Sequence, residues 1–273
     1  MKLHTVLFCS LFALAVSPHA QAVVGDLTTQ STVVIATAYG DAIFTTNFTR
    51  PTGTGGFDPF LTIQANGTEQ GYNTSARKGV FDTNREPQRN HEIQLKDLAK
   101  VQIGGVECYS FVIDINEPNS TDKSKISLDA LKLYTTAQTK QTTTNVDALG
   151  IKRFDLDSLG DNYIKYNDLN SGSGQADIAF FIPTASFLAG PNAAKSTDYV
   201  YMYQQFGSNI SANLTGTSQG GFEETAIGYG ITPVPEASTL IPLTGILGLV
   251  FGTNLINRRR KAAAQSHEDA PSA

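Results

Sequence analysis

The chain of 273 residues contains no tryptophan, and it has little cysteine, histidine or charge. Two cysteines and four histidines are present, and 16% of the residues are charged. Sugar-binding sites usually stack a saccharide ring on a flat aromatic side chain, so the missing tryptophan weakens such a function. The low charge, with abundant Thr, Ser, Asn and Gly, favours an all-β, turn-rich secreted domain over a cytosolic helical one.

Basic residues are too few and too scattered to form a stripe. Between Val23 and Val234 the chain has 15 lysines and arginines against 22 aspartates and glutamates, a net charge of −7. A nucleic-acid interface needs clustered cations that neutralise phosphates. We therefore expect no nucleic acid among the partners.

Catalytic motifs are missing as well. No G-x-S-x-G sequence and no histidine-rich metal motif occurs, and His91 in QRNHEIQ is expected to be a surface polar residue. A glycosidase needs only two carboxylates, and Glu107, Glu223 and Glu224 qualify by residue type alone. We predict that the chain is not an enzyme, and a glycosidase stays open as an alternative.

The first 22 residues have the parts of a secretory signal peptide. Lys2 precedes an apolar run from Val6 to Val16, which is too short to cross a bilayer comfortably. Ala20 and Ala22 then form an A-x-A cleavage site for signal peptidase. We expect the mature protein to begin near Val23; the alternative is a buried N-terminal helix.

Removal of the signal peptide leaves Cys108 as the one remaining cysteine, so no disulfide can form within the mature domain. In the strand-like segment GGVECYSFVIDI, Cys108 is expected to be a small buried residue, and an intermolecular disulfide is the alternative. Stability must then come from an extensive core, which a domain at 23–230 is long enough to form.

Short strand-like segments recur along this domain, separated by Gly, Asn and Pro. They are STVVIATAYG, AIFTTNFTR, FLTIQA, CYSFVIDIN, ISLDALKLYTTA, IKRFDLDS, NYIKYNDL, DIAFFIP, TDYVYMYQQF and GFEETAIGY. In HEIQLKDLAKV neither period fits well, so a loop, a short strand and a helical turn stay open. Many short strands without βαβ alternation predict an all-β fold, an antiparallel β-sandwich or jelly-roll-like ectodomain.

The pattern changes after residue 230. Residues 231–237 (ITPVPEA) form a proline-containing linker, and 238–257 then carry no charge over a length that spans about 30 Å as a helix. This run predicts a single C-terminal transmembrane helix, with an amphipathic helix packed on the domain as the alternative. A basic cluster that would stop transfer and stay cytoplasmic follows, in a polar, disordered tail at 258–273. The cluster consists of Arg258, Arg259, Arg260 and Lys261.

This order of Pro-Glu, apolar span and arginine cluster resembles the PEP-CTERM sorting signal of Gram-negative bacteria. The resemblance covers Val234 to Lys261, where Ala237 stands in place of the family's second proline. It implies that an exosortase, a membrane-embedded cysteine transpeptidase, recognises Val234, Pro235 and Glu236 and removes the helix and tail. The protein would then be anchored transiently in the inner membrane and end at the cell surface or outside the cell.

The body of the chain is also similar to one group of PEP-CTERM surface proteins without established enzymatic activity. The segments that carry this likeness are RPTGTGGFDPFLTIQ, GYNTS, LNSGSGQADIAFFIP, YVYMYQQFG and GFEETAIG. The wider family is associated with exopolysaccharide and biofilm formation. The resemblance therefore implies a non-enzymatic structural or adhesive role in the extracellular matrix, with a carbohydrate-binding module for exopolysaccharide as the alternative.

The densest cluster of acids and amides is FDLDSLGDNYIKYNDLNSGSGQAD. Asp155, Asp157 and Asp161 are weak candidates for oxygen ligands of Ca²⁺, which is plentiful outside cells. The EF-hand pattern fails, because Leu159 and Tyr166 occupy ligand positions. Turn residues between strands are the alternative, and we expect no other metal or cofactor.

Three tyrosines alternate in DYVYMYQQF. Tyr199, Tyr201 and Tyr203 would share one face of a strand. If that face is exposed, the row is a platform for a sugar ring; if it is covered, the row is a packed aromatic ladder.

Overall fold

The computed structural model describes residues 22–49, 57–76, 80–84, 86–118, 120, 123–170, 174–208 and 217–234. Ala20, Pro235 and Glu236, the predicted span at 238–257 and the basic cluster from Arg258 to Lys261 lie outside the described residues.

Eighteen strands, several of only two residues, make up most of the regular structure in the described ranges. They are β1 (Val24–Asp26), β2 (Thr32–Ile35), β3 (Ala42–Thr45), β4 (Phe48–Thr49), β5 (Pro59–Ile63), β6 (Asn66–Gly67), β7 (Glu69–Tyr72), β8 (Ile93–Gln94), β9 (Lys100–Ile103), β10 (Val106–Asp114), β11 (Lys125–Thr136), β12 (Ile151–Asp155), β13 (Tyr163–Asn167), β14 (Ile178–Pro183), β15 (Tyr199–Phe206), β16 (Ser218–Gln219), β17 (Glu223–Ile227) and β18 (Thr232–Pro233). One α-helical turn, α1 (Ala185–Leu188), and two 3₁₀ turns, Leu95–Asp97 and Val146–Ala148, complete the described elements.

The strands form two seven-stranded sheets and two small ribbons. The first sheet has the order β1-β13-β11-β15-β7, with β12 beside β11 and β8 beside β15. The second sheet has the order β2-β3-β14-β10-β17-β5, with β9 beside β10. Strands β6 and β16 form one ribbon, and β4 and β18 form the other. The predicted all-β class is confirmed, and the predicted antiparallel pairing holds with one correction: β1 pairs in parallel with β13, a neighbour far along the chain.

Each strand-like segment of the sequence contains at least one observed strand. The ambiguous HEIQLKDLAKV combines all three open alternatives, because β8 is followed by the 3₁₀ turn and then by β9. Strands β1 (VGD) and β7 (EQGY) were not predicted, because their residues have weak strand propensity. Pairing with the longer strands β13 and β15 stabilises them.

The two large sheets pack face to face on a common core. Tyr109, Phe111 and Ile113 on β10, and Ile115 just after it, all belong to this core, as their shared parity predicts. The ring of Phe111 stacks on Phe180 with centroids 5.1 Å apart. A fully buried apolar layer of this size is the main source of stability in a domain without disulfides.

A further apolar cluster covers the outer side of each sheet. Cys108 and Val112, on the opposite parity of β10, belong to the cluster outside the second sheet. Cys108 is a buried free thiol, as predicted, and burial together with the charge of Glu107 raises its pKa to about 11. The central strands are therefore buried on both faces, which explains why their sequences alternate so weakly between apolar and polar residues.

The fold extends past the predicted boundary at residue 230. Ile231 is buried, β18 pairs with β4, and the Val234 amide donates to the Asn47 carbonyl at 3.0 Å. The first part of the predicted linker at 231–237 is thus held by backbone hydrogen bonds. Within the described ranges, no helix is long and apolar enough to span a membrane.

Candidate functional site

An open groove of about 660 Å³ lies beside the end of β17. We call it the Tyr229 groove. Its wall is formed by the entrance to β5, the segment around β8, one residue of β10, and the chain from Ala226 to Ile231. The wall residues are Phe57, Asp58, Phe60, His91, Glu92, Ile93, Asp97, Val112, Ala226, Ile227, Gly228, Tyr229 and Ile231.

Two glycines place Tyr229 at this groove. Gly228 lies so close to β10 that an added Cβ would meet the Ser110 Oγ atom at 2.3 Å. Gly230 has a φ of 66°, a left-handed conformation that glycine adopts without strain. The close approach of Gly228 to β10 and the left-handed Gly230 set the path of the chain around Tyr229, which is 55% exposed.

The tyrosine ring is held at the rim by a specific hydrogen bond. The Tyr229 hydroxyl donates to the Asp97 backbone carbonyl at 2.7 Å. Burial, followed by the charges of Asp97 and Asp58, raises the pKa of this hydroxyl, so it stays protonated at neutral pH. A ring with one fixed edge and one exposed face is preorganised for stacking.

Polar groups surround the ring. Asp58 and Asp97 line the groove together with His91, whose Nδ1 atom lies 3.0 Å from the Pro87 carbonyl. Phe57 is half-buried on the same wall, and no lysine or arginine is among the described wall residues. The groove thus combines aromatic surface with hydrogen-bonding carboxylates, which suits a polar, uncharged or cationic ligand and disfavours an anion.

The three tyrosines of β15 are covered, whereas a sugar platform would require them to be exposed. Tyr201 and Tyr203 are buried and Tyr199 is half-buried, although all three face away from the common core. Val80 and Leu149 pack against them, and the Tyr72 and Tyr201 rings meet edge to face at 5.9 Å. The exposed-platform hypothesis is wrong for this row, because loops from elsewhere in the chain cover it.

The hydroxyls of the row are also engaged. Tyr201 donates to the Gln138 carbonyl at 3.1 Å and lies 3.2 Å from the Glu92 carboxylate, and Tyr203 donates to the Gln70 side chain at 2.6 Å. Such bonds satisfy the polar end of a buried tyrosine. The row is therefore a packed aromatic ladder.

The calcium candidates lie in the turn that joins β12 to β13. Asp155 is ion-paired with Lys152 at 2.9 Å and accepts the Asp157 amide, and Asp157 accepts the Asn162 amide. Asp157 and Asp161 line a polar depression of about 350 Å³. In the ranges that the structure describes, no group of three or more His, Cys, Asp or Glu side chains is arranged to hold a metal ion. Turn formation accounts for the contacts of Asp155 and Asp157, and calcium binding stays a prediction.

The three glutamates considered for hydrolysis have separate environments. Glu107 forms an ion pair with Lys100 at 2.9 Å, and Glu224 accepts a hydrogen bond from the Arg89 guanidinium at 2.9 Å. Glu223 follows the opposite parity to Glu224 on β17 and is almost completely buried. Neither Glu223 nor Glu224 is among the wall residues of the Tyr229 groove.

Glu223 belongs to a buried carboxylate cluster that sequence reasoning missed. We call it the glutamate cluster: Glu69 on β7, Glu117 after β10, and Glu223 on β17, all at least 96% buried. The Glu223 carboxyl lies within hydrogen-bonding reach of both other carboxyls. Since the three residues are more than forty positions apart in sequence, no local motif indicates this cluster.

In comparisons with known proteins, the chain matches no family model, no curated protein and no solved structure.

Proposed function

We propose that the chain is an exported surface or extracellular protein with a non-enzymatic, adhesive role in extracellular matrix or biofilm, and that it adheres by binding saccharide in the Tyr229 groove. The single observation that carries the proposal is the exposed, hydrogen-bonded Tyr229 ring beside polar side chains. Exopolysaccharide is the corresponding partner.

The dimensions and chemistry of the groove support a saccharide. A volume of about 660 Å³ is in the range of small-ligand sites and accommodates a few sugar rings. Tyr229 offers a stacking face, while Asp58, Asp97 and His91 offer acceptors and donors for hydroxyl groups. In a chain without tryptophan, an exposed tyrosine is the best remaining stacking ring.

The export route is part of the same proposal. Signal peptidase would cut after Ala22, and an exosortase would act at Val234, Pro235 and Glu236 once the span at 238–257 has stopped in the inner membrane. The order of residues from 234 to 261 supports this route. The jelly-roll-like subclass of the β fold belongs to the proposal as well.

Two measurements test the proposed function. Binding of the exported protein to the exopolysaccharide of its producing cell is measured by calorimetry, for the natural chain and for Tyr229→Ala. Roughly tenfold weaker binding by the variant, measured under conditions where both proteins are folded, is the expected result. Equal binding by both proteins rejects the groove, and no binding by the natural chain leaves a purely structural role.

The route is tested by mass spectrometry of the protein recovered outside the cell. The expected mass corresponds to a chain that starts near Val23 and ends close to Pro235. Protein from a strain without exosortase should still carry the C-terminal tail. A secreted protein that retains Arg258 to Arg260 rejects the sorting proposal.

A further inference from the structure

We propose that the glutamate cluster is a pH-sensitive latch, in which a proton held between Glu223 and its two neighbours under acidic conditions keeps the β6–β16 ribbon closed over one end of the two sheets. Loss of that proton frees the ribbon. This inference concerns neither the groove nor the sorting signal.

The first argument is the placement of Glu223. Its side chain is 99% buried, and no hydrogen-bond donor among the described residues reaches either carboxylate oxygen. Both neighbours within reach, Glu69 and Glu117, are also carboxyls. Three ionised carboxylates would only accept, so the missing donor is supplied when one of them is protonated.

The second argument is which carboxyl holds the proton. Glu69 accepts the Ala65 amide at 2.7 Å, and Glu117 accepts the Gln219 amide with both oxygens at 2.9 and 3.1 Å. Amide donors favour the ionised form of these two groups. Glu223 has no such donor and is therefore the carboxyl that carries the hydrogen, which it donates to Glu69 or Glu117.

The third argument is the local charge. Asp82 is the further charged group that acts on Glu69, and no lysine, arginine or histidine is among the groups that act most strongly on the three carboxyls. Burial raises the pKa of all three groups above the usual 4.5, and the mutual charges raise that of Glu223 further. Since no described cation is among these groups, deprotonation leaves adjacent buried negative charges that repel.

The cluster ties the ribbon to two separate parts of the fold, β7 and the segment after β10. Glu69 binds the residue before β6, and Glu117 binds β16 directly. The Ser218 hydroxyl also donates to the Ala65 carbonyl at 2.7 Å, across the ribbon. Repulsion within the cluster therefore acts directly on the contacts that hold β6 and β16 in place.

The sign of the pH effect follows from the raised pKa values. Stability contributed by the latch is complete below the usual glutamate pKa and is lost as the pH rises through the raised values. The latch is closed in mildly acidic surroundings and opens toward alkaline pH.

Hydrogen exchange with mass spectrometry tests the latch on the purified natural chain. After correction for intrinsic exchange rates, protection of peptides covering Ala65 and Gln219 is expected to fall from about pH 5 to about pH 8, by about tenfold for each unit of pKa elevation. Peptides from β10 and β14 are expected to change less.

Variants identify the group responsible. Glu223→Gln carries an amide donor at every pH, so it should remove the pH dependence of the ribbon peptides, whereas the exposed control Glu86→Gln should keep it. If Glu223→Gln does not fold, Glu117→Gln and a ¹³C carboxyl titration of the natural chain take its place. Ribbon protection that is independent of pH, or a Glu223 carboxyl that titrates near its usual value, overturns the proposal. Restoration of protection at alkaline pH by millimolar Ca²⁺ also overturns it, because the cluster would then be a cation site.

Discussion

The Tyr229 hydroxyl donates a 2.7 Å hydrogen bond to the Asp97 carbonyl and so connects the segment after β17 to the 3₁₀ turn before β9. This bond fixes one edge of the ring, while its exposed face borders the groove. Ring and hydroxyl have different roles, so they can be separated by substitution.

For the proposed saccharide site, Tyr229→Ala is expected to weaken binding roughly tenfold, since an aromatic contact contributes about 1 kcal/mol beyond its buried area. Tyr229→Phe keeps the ring and loses only the hydroxyl, so it should retain most of the affinity. Calorimetric titration measures both. A larger loss in the phenylalanine variant than in the alanine variant would contradict stacking.

Gly228 is expected to tolerate no side chain. In Gly228→Ala the new methyl group meets the Ser110 Oγ atom at 2.3 Å and the Phe111 amide nitrogen at 3.1 Å, which should lower the free energy of unfolding by about 1–3 kcal/mol. Adding Ser110→Ala removes the closer contact and should restore part of the loss. Urea unfolding of the two single variants and the double variant measures these changes in the free energy of unfolding. If the two single changes simply add up in the double variant, the contact between the new methyl group at position 228 and the Ser110 Oγ atom does not explain the loss.

Tyr201 is expected to matter for stability and not for ligand binding. Tyr201→Phe removes the hydroxyl that contacts Glu92 and Gln138, so unfolding should become easier by about 1 kcal/mol. Saccharide affinity of the folded variant should stay unchanged, because the row is covered. An affinity loss without a stability loss would restore the platform hypothesis.

Asp114 is expected to make the domain less stable toward neutral pH. Burial, with the charges of Asp177 and Glu224, raises its pKa to about 6, and its carboxylate accepts the Gly174 amide. The folded state therefore binds a proton more tightly than the unfolded chain does. Its contribution is present below the usual aspartate pKa and is lost as the pH rises through about 6.

Urea midpoints measured across this pH range should consequently decline as the pH increases. Asp114→Asn should reduce the decline, and the exposed Asp161→Asn serves as the matched control. A decline of equal size in all three proteins would assign the effect to other groups.

Cys108 is expected to be unreactive in the native protein. Its pKa of about 11 leaves little thiolate at neutral pH, and its side chain is buried. Iodoacetamide should label it only after unfolding. Rapid labelling, or a dimer that disappears on reduction, would favour the intermolecular disulfide.

Much of the fold was predictable because local pattern and tertiary environment agree. In β10 the residues Tyr109, Phe111 and Ile113 alternate with the other parity and face the common core, as the period of two requires. The short β7 was not predictable, since its stability comes from pairing with β15 and not from its own residues.

Sites were less predictable, because surface exposure is not a local property. TDYVYMYQQF correctly predicts a strand with three tyrosines on one face, but only the packing of Val80 and Leu149 decides that this face is covered. GFEETAIGYG gives no comparable signal for Tyr229, yet the close packing of Gly228 and the left-handed Gly230 place it as an exposed ring of the groove.

The sequence alone determined the all-β class, the buried free cysteine and the expectation of an export route, since these depend on composition, alternation and the order of neighbouring residues. Only the tertiary structure decided which aromatic ring is exposed and that Glu69, Glu117 and Glu223 meet in the interior. The physical reason is that burial and charge proximity arise between strands that are distant in the chain, where sequence spacing carries no distance information.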